Sequence, residues 1–360
     1  MVILSHTRHL FLVCLLCLLS ACAQNPRVQQ FDPNAGKPEG DWPLWPKPPE
    51  IPRFAYAGEL TGEKNFKDVE TGERSTPRRF FAWLVGLGLE QRLPVVLQRP
   101  QGVISDGQGR IFVSDVSRQA VYVFDKTGGQ LLVWERATPE EGFIAPIGMA
   151  LGEQGELYVS DAELGFVAVL GRDGTPQRTL GKGLLQRPTG IARDEANGRV
   201  YVADTRANDI KIFDGAGLLL DTLGNEGDSL GELNAPTYLA FAEGRLYVTD
   251  TLNSRIQVFD DEGNLLRHFG ERGLYIGNLA RPKGISVDPD GNVFVIESYY
   301  DHLLMYDNQG RLLLPIGGTG HEPGQFYLPA GVWADKDGQV YVADMFNGRV
   351  AIFQFLGGTP

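Results

Sequence analysis

From about residue 95 to 357 the apolar positions come in short runs separated by turns rich in glycine, aspartate and asparagine. Runs this short, enriched in valine, isoleucine, tyrosine and phenylalanine, predict strands. One unit reads Pro236-Thr-Tyr-Leu-Ala-Phe, Arg245-Leu-Tyr-Val-Thr-Asp250, Arg255-Ile-Gln-Val-Phe-Asp260 and Asn264-Leu-Leu-Arg-His-Phe-Gly270, four strands A to D with turn glycines between them. Stretches such as Val-Tyr-Val-Phe at 121–124 are apolar on both faces, the pattern of a sheet sandwiched between neighbours.

The unit recurs. Pro100, Pro146, Pro188, Pro236, Pro282 and Pro329 stand 46, 42, 48, 46 and 47 residues apart, and the acids Asp115, Asp161, Asp204, Asp250, Glu297 and Asp344 keep the same step. A period in the forties with four strands per unit predicts propeller blades, so the chain reads as an all-β, six-bladed β-propeller with blades from about 95 to 357. The sixth repeat carries strands A to C only, ending at Val350–Phe355. Residues 53–60 (Arg-Phe-Ala-Tyr-Ala-Gly-Glu-Leu) are the unassigned β-prone stretch expected to complete blade six and close the ring, which removes open sheet edges. Composition agrees, since 45 glycines and 22 prolines in 360 residues suit many short strands joined by tight turns.

The segments Tyr-Val-Thr-Asp250-Thr-Leu-Asn253-Ser-Arg255-Ile and Tyr-Val-Ala-Asp344-Met-Phe-Asn347-Gly-Arg349-Val, with the Pro-x-Gly step that opens most repeats, resemble NHL repeats. Tyr238 stands where the repeat carries glycine, Glu297 replaces the aspartate in blade five, and blades one to three lack the arginine. The layout as a whole is similar to the six-bladed lipoproteins of proteobacteria.

Before the repeats, residues 1–21 have a charged start at Arg8, an apolar run from Leu10 to Leu19 and small residues, a secretory signal pattern. Leu19-Ser20-Ala21-Cys22 resembles a lipobox, which implies lipidation of Cys22, the only cysteine of the mature chain. A lipid anchor with several acyl chains holds a protein on a membrane without a spanning helix. Ala23 after the cysteine is not aspartate, and the resemblance then implies the periplasmic leaflet of the outer membrane of a diderm bacterium. Residues 22–52 form a tether, with eight prolines between Ala23 and Pro52, expected to be extended and without a core. Trp42 and Trp45 within it are expected to pack on the propeller, a partner-docking motif being the alternative. Residues 61–94 are an insert with a short apolar helix near 77–86. Its side chains, among them Phe80, Phe81 and Trp83, would cap the propeller, touch a membrane or bind a partner.

The formal charge is −12, and removing residues 1–21, which hold Arg8 and no acid, takes it to −13. Nucleic-acid binding needs a clustered basic patch; only the pair Arg78 and Arg79 stands out, so that class is excluded. The acid ending each strand B is read as turn architecture accepting backbone N–H groups, since carboxylates around a whole propeller rim are too far apart to share an ion. Six-bladed relatives imply an enzymatic alternative, a metal-dependent lyase or lactonase of the peptidyl-hydroxyglycine lyase or gluconolactonase-like type. However, a catalytic zinc needs three converging protein ligands, whereas His268 falls in outer strand D, His302 on the B-to-C turn and His321 in a D-to-A connection. We therefore expect no catalytic residue, no metal and no cofactor, and a non-enzymatic module that presents the face of D-to-A and B-to-C loops to an envelope protein or peptide. On that face Tyr238, Asn253, Arg255, Tyr299, Tyr300, His302, Met345, Phe346, Asn347 and Arg349 are the candidate binding residues, aromatics and arginine being common interface anchors. For Arg255 and Arg349, bracing of the blades is the equal alternative.

Overall fold

The computed structural model describes residues 29–34, 42–68 and 94–357. The expected signal segment, Cys22 and the apolar stretch at 77–86 lie outside them. Within the described residues the repeats form six antiparallel sheets, five of four strands and one of five. Blade four is typical, running Pro236–Ala242, Arg245–Asp250, Arg255–Asp260 and Leu265–Phe269 from channel to rim. In the sixth sheet Phe54–Leu60 pairs antiparallel with Arg349–Phe355, outside Gln339–Asp344 and Val332–Ala334, so that blade draws strands from both ends of the propeller.

Strands B and C are buried on both faces because each sheet packs between two others. The buried side chains form six clusters, one between each successive pair of blades and one joining blade six to blade one through Tyr341, Ile352, Val103 and Ile111. Six interfaces for six blades make a closed ring.

Part of the expected tether is folded. Gln29–Phe31 pairs with Phe66–Asp68, and Leu44–Trp45 adds to the outer edge of Phe54–Leu60. Trp42 meets Tyr56 and Trp45 meets Phe353, each with ring centroids 5.5 Å apart. The expectation of a spacer without a core is corrected here: proline-rich composition predicts extended chain, and extended chain carrying large aromatics pairs with an open strand edge and buries them.

The Pro-x-Gly step has a packing cause. The pairing of strands A and B shifts register there in blades one to five, and the glycine lies against the next blade. A Cβ on Gly148 would lie 2.2 Å from the Thr189 carbonyl oxygen, and one on Gly331 2.4 Å from that of Gln101. In the five blades that carry the glycine, the start of strand A thus narrows the channel by backbone-to-backbone contact that a side chain would forbid.

Candidate binding face

Each strand A begins, each strand B ends and each strand C begins at the same end of the propeller, so the D-to-A and B-to-C loops share one face. The acids organise it. Asp115 accepts N–H bonds from Gln98 (2.6 Å), Arg99, Ser117 and Arg118 (3.0 Å each), tying the D-to-A loop to the B-to-C turn. Asp161 does the same through Ile144, Ala145, Glu163 and Leu164. Ser114 and Thr249, each just before the acid, add a link the repeat pattern did not suggest. Their hydroxyls accept the bulged amides of Gly102 (2.9 Å) and Tyr238 (2.7 Å), and Ser114 donates to the Ile147 carbonyl of the next blade at 2.6 Å.

In blades four and six the recurring arginine fills a socket beneath the loop. Arg255 donates from Nε to Asp250 at 2.7 Å, and from its terminal nitrogens to the carbonyls of Asp228, Ser229 and Glu232 at 2.8, 2.7 and 2.9 Å. Arg349 repeats this with Asp344 (2.9 Å) and the carbonyls of His321, Glu322 and Gln325 (3.0, 3.2 and 2.9 Å), and adds Glu59 at 3.0 Å. Asn253 and Asn347 donate to the carbonyls of Gly227 and Gly320, both at 2.9 Å, and to the same acids. For the two arginines these bonds fit the bracing alternative, and the two asparagines join them in holding the loops. The arginines are only 9% and 5% exposed, and their donors are spent on loop carbonyls that need them.

Tyr238 is also displaced from the face. Its side chain enters the central channel, and its hydroxyl donates to the Gln101 carbonyl of blade one, across the ring, at 3.1 Å. Burial pushes its phenol well above the usual tyrosine range. The channel has a volume of about 570 Å³ and runs to the A-to-B turns of blades three and four, where Arg193, Glu195 and Glu243 border it. Among the described residues no three His, Cys, Asp or Glu side chains are grouped so as to hold a metal.

Tyr299, Tyr300 and His302 remain together, around a pocket of about 260 Å³ in blade five that also holds Glu297 and the loop residues Leu274 to Asn278. Glu297 is 1% exposed and accepts from the amides of Arg281 and Tyr299; desolvation raises its pKa. Tyr299 and Tyr300 meet edge to face at 5.0 Å. In blade six Gln101 donates its side-chain amide to the Met345 sulfur at 2.8 Å, while Phe346 lies between Arg99 and Tyr327, at 5.1 and 5.6 Å. Nothing in the residue pattern singles out Leu274, Tyr275 and Ile276, yet they are 85%, 84% and 63% exposed beside this pocket. Their loop does not match the repeat consensus, so periodicity could not mark them.

The NHL repeat family matches residues 185–213, the loop into blade three and most of that blade. NHL-repeat-containing protein 4 of Mus musculus is 40% identical over 63 residues, 18% of this chain and 43% of that protein, so the chain spans less than half of that curated relative. Among solved structures, a streptogramin B lyase superposes with a TM-score of 0.56 at 15% identity, over 73% of this chain and 96% of the other. A chain of a nidogen/laminin complex superposes with a TM-score of 0.53 at 19% identity, over 69% and 89%. At such identities the likeness concerns the fold alone, and the same ring serves a lyase and an assembly protein. The chain is thus an all-β, six-bladed propeller that carries an NHL repeat.

Proposed function

We propose that the protein is a membrane-tethered, non-enzymatic binding module whose D-to-A and B-to-C face engages an envelope protein or peptide. The observation that carries this reading is the gathering of exposed large apolar side chains there: Leu230, Leu252, Leu274, Tyr275, Ile276, Tyr299, Tyr327 and Phe346 all project from these loops in blades four to six. Large apolar side chains left exposed together on one face suit an interaction site. The tether is the lipid on Cys22, placing the protein on the periplasmic leaflet of the outer membrane.

The test is crosslinking and affinity capture from the native envelope, comparing wild type with a Tyr275→Asp, Phe346→Asp variant. Loss of the same captured protein from a variant that melts like wild type supports the reading; an unchanged capture profile overturns it. Cys22→Ser should release the protein from the membrane fraction, and a variant that stays bound removes the lipid anchor. The lyase reading draws on the open channel and on neighbours such as the streptogramin B lyase; a stoichiometric zinc or calcium ion in purified protein would favour it.

A further inference from the structure

The loops entering blades four, five and six share two backbone hydrogen bonds at matching positions. Leu233, Leu279 and Phe326 donate their amides to the carbonyls of Asn225, Glu271 and Gly318 at 2.8, 2.9 and 2.9 Å. Glu232, Asn278 and Gln325 donate to Ser229, Tyr275 and Glu322 at 3.1, 2.9 and 3.0 Å. The strands beneath also correspond, for Asp250 pairs with Arg255, Glu297 with His302 and Asp344 with Arg349. Even the asparagine link has a counterpart, since the Tyr300 hydroxyl reaches the Gly273 carbonyl at 3.2 Å, where Asn253 and Asn347 reach Gly227 and Gly320.

The loops differ in two respects: the bond from the Gly227 amide to the Leu233 carbonyl (3.1 Å), repeated from Gly320 to Phe326 (2.9 Å), has no counterpart between Gly273 and Leu279, and the arginine is missing from blade five. In blades four and six a guanidinium joins the acid to three loop carbonyls; by correspondence, the blade-five carbonyls are those of Leu274, Tyr275 and Asn278. Among the described residues no side chain bonds these three, and no Lys or Arg pairs with Glu297. His302 occupies the arginine position without reaching the acid. The vacated space is the 260 Å³ pocket, which opens beside the exposed Leu274 and Tyr275.

We propose that this blade-five socket takes the guanidinium of an arginine side chain from a partner peptide, in the place that Arg255 and Arg349 fill within the chain. The buried carboxylate supplies the counter-charge, and the loop carbonyls supply acceptors in the fork geometry that guanidinium matches and ammonium does not. Tyr299 and Tyr300 provide aromatic surface for the cation. The exposed loop above gives apolar contact to residues flanking the arginine. The inference rests on the binding-module reading and names what that module recognises.

The experiment titrates the full-length protein with acetyl-Leu-Arg-Leu-amide and with its citrulline counterpart, which keeps shape and loses charge, read by calorimetry or NMR. The arginine peptide should bind at least about tenfold more tightly, a gap of about 1.4 kcal/mol. His302→Arg places the chain's own guanidinium in the socket and should abolish peptide binding while raising the melting temperature; Glu297→Gln should weaken binding at least about tenfold, again about 1.4 kcal/mol. Equal affinity for both peptides, no binding of either, or undiminished binding by folded His302→Arg overturns the proposal. Because the peptide assay is independent of envelope capture, arginine-selective binding alongside an unchanged capture profile sinks only the binding-module reading.

Discussion

Arg349→Ala removes the hub of blade six. The guanidinium bonds the fully buried Asp344, Glu59 of the N-terminal strand and three carbonyls of the loop into the blade. Deleting one partner of a buried ion pair costs about 3–5 kcal/mol, because the other charge stays buried without compensation. That is a large part of the roughly 5–15 kcal/mol by which a domain is stable. At about 2–4 °C per kcal/mol for a large domain, the melting temperature should fall by about 6–20 °C. The loss has a pH signature. Desolvation outweighs the arginine and backbone bonds and raises the Asp344 pKa, so the native state holds this proton to higher pH than the unfolded chain does. Stability from this group is therefore greatest below its ordinary pKa and is lost as pH rises through the native value. Without the arginine the native value rises further, so the deficit of Arg349→Ala should be larger at neutral than at acidic pH, and Asp344→Asn in the same chain should recover part of it. The assay is thermal denaturation by circular dichroism at both pH values. A melt like that of wild type, or an equal deficit at both pH values, would show that the arginine does not brace the acid.

Two further substitutions probe the channel, and a third serves as a control. Gly148→Ala drives a Cβ to 2.2 Å from the Thr189 carbonyl oxygen and should cost about 1–3 kcal/mol as overpacking. Gly215→Ala, whose Cβ would have its nearest neighbour at 3.9 Å, should stay within about 0.5 kcal/mol of wild type; comparable melts for the two would deny that glycine sets the spacing between blades. Tyr238→Phe removes the bond across the channel to Gln101 and should cost about 0.5–1.5 kcal/mol in denaturant unfolding. In an alkaline absorbance titration Tyr238→Phe should match the native-state amplitude of wild type, because burial keeps the Tyr238 phenol protonated while exposed tyrosines ionise; a smaller amplitude would place Tyr238 among the exposed tyrosines.

The blades were legible because a packing need repeats with them. Proline opens strand A, an acid closes strand B, and that acid serves a turn wherever it occurs, so period and role were read together. The fate of Arg255 and Arg349 was not legible, since it depends on whether loop carbonyls some 25 residues upstream converge beneath them, which no local pattern records. Tyr238 stood out as a departure from glycine, but its sequence position could not tell outward from inward across a register shift. The folded part of the tether was missed for a related reason: Leu44 and Trp45 find their partners, Ala55 and Phe54, only on an edge assembled from both ends of the repeat region.

Blade five bears on why a repeat protein departs from its own consensus. Loops of this conformation turn carbonyls inward, and buried carbonyls need donors; an internal arginine is the direct solution and is used twice. The blade-five loop keeps the margin bonds of its counterparts, the Tyr300 hydroxyl on Gly273 (3.2 Å) and the Asn278 side chain on the Tyr275 amide (3.0 Å), and adds the Tyr306 hydroxyl on Gly277 (3.0 Å). These bonds fix the loop and leave its centre open, which suits a site kept free at some expense of stability. His302→Arg measures that expense. If the socket is complete, the new guanidinium meets an acid and carbonyls already in position, and the variant should gain about 0.5–2 kcal/mol, or about 1–8 °C in melting temperature, with the gain growing as rising pH ionises the Glu297 carboxyl. A destabilised variant would show that the blade-five loop is not a third copy of the other two.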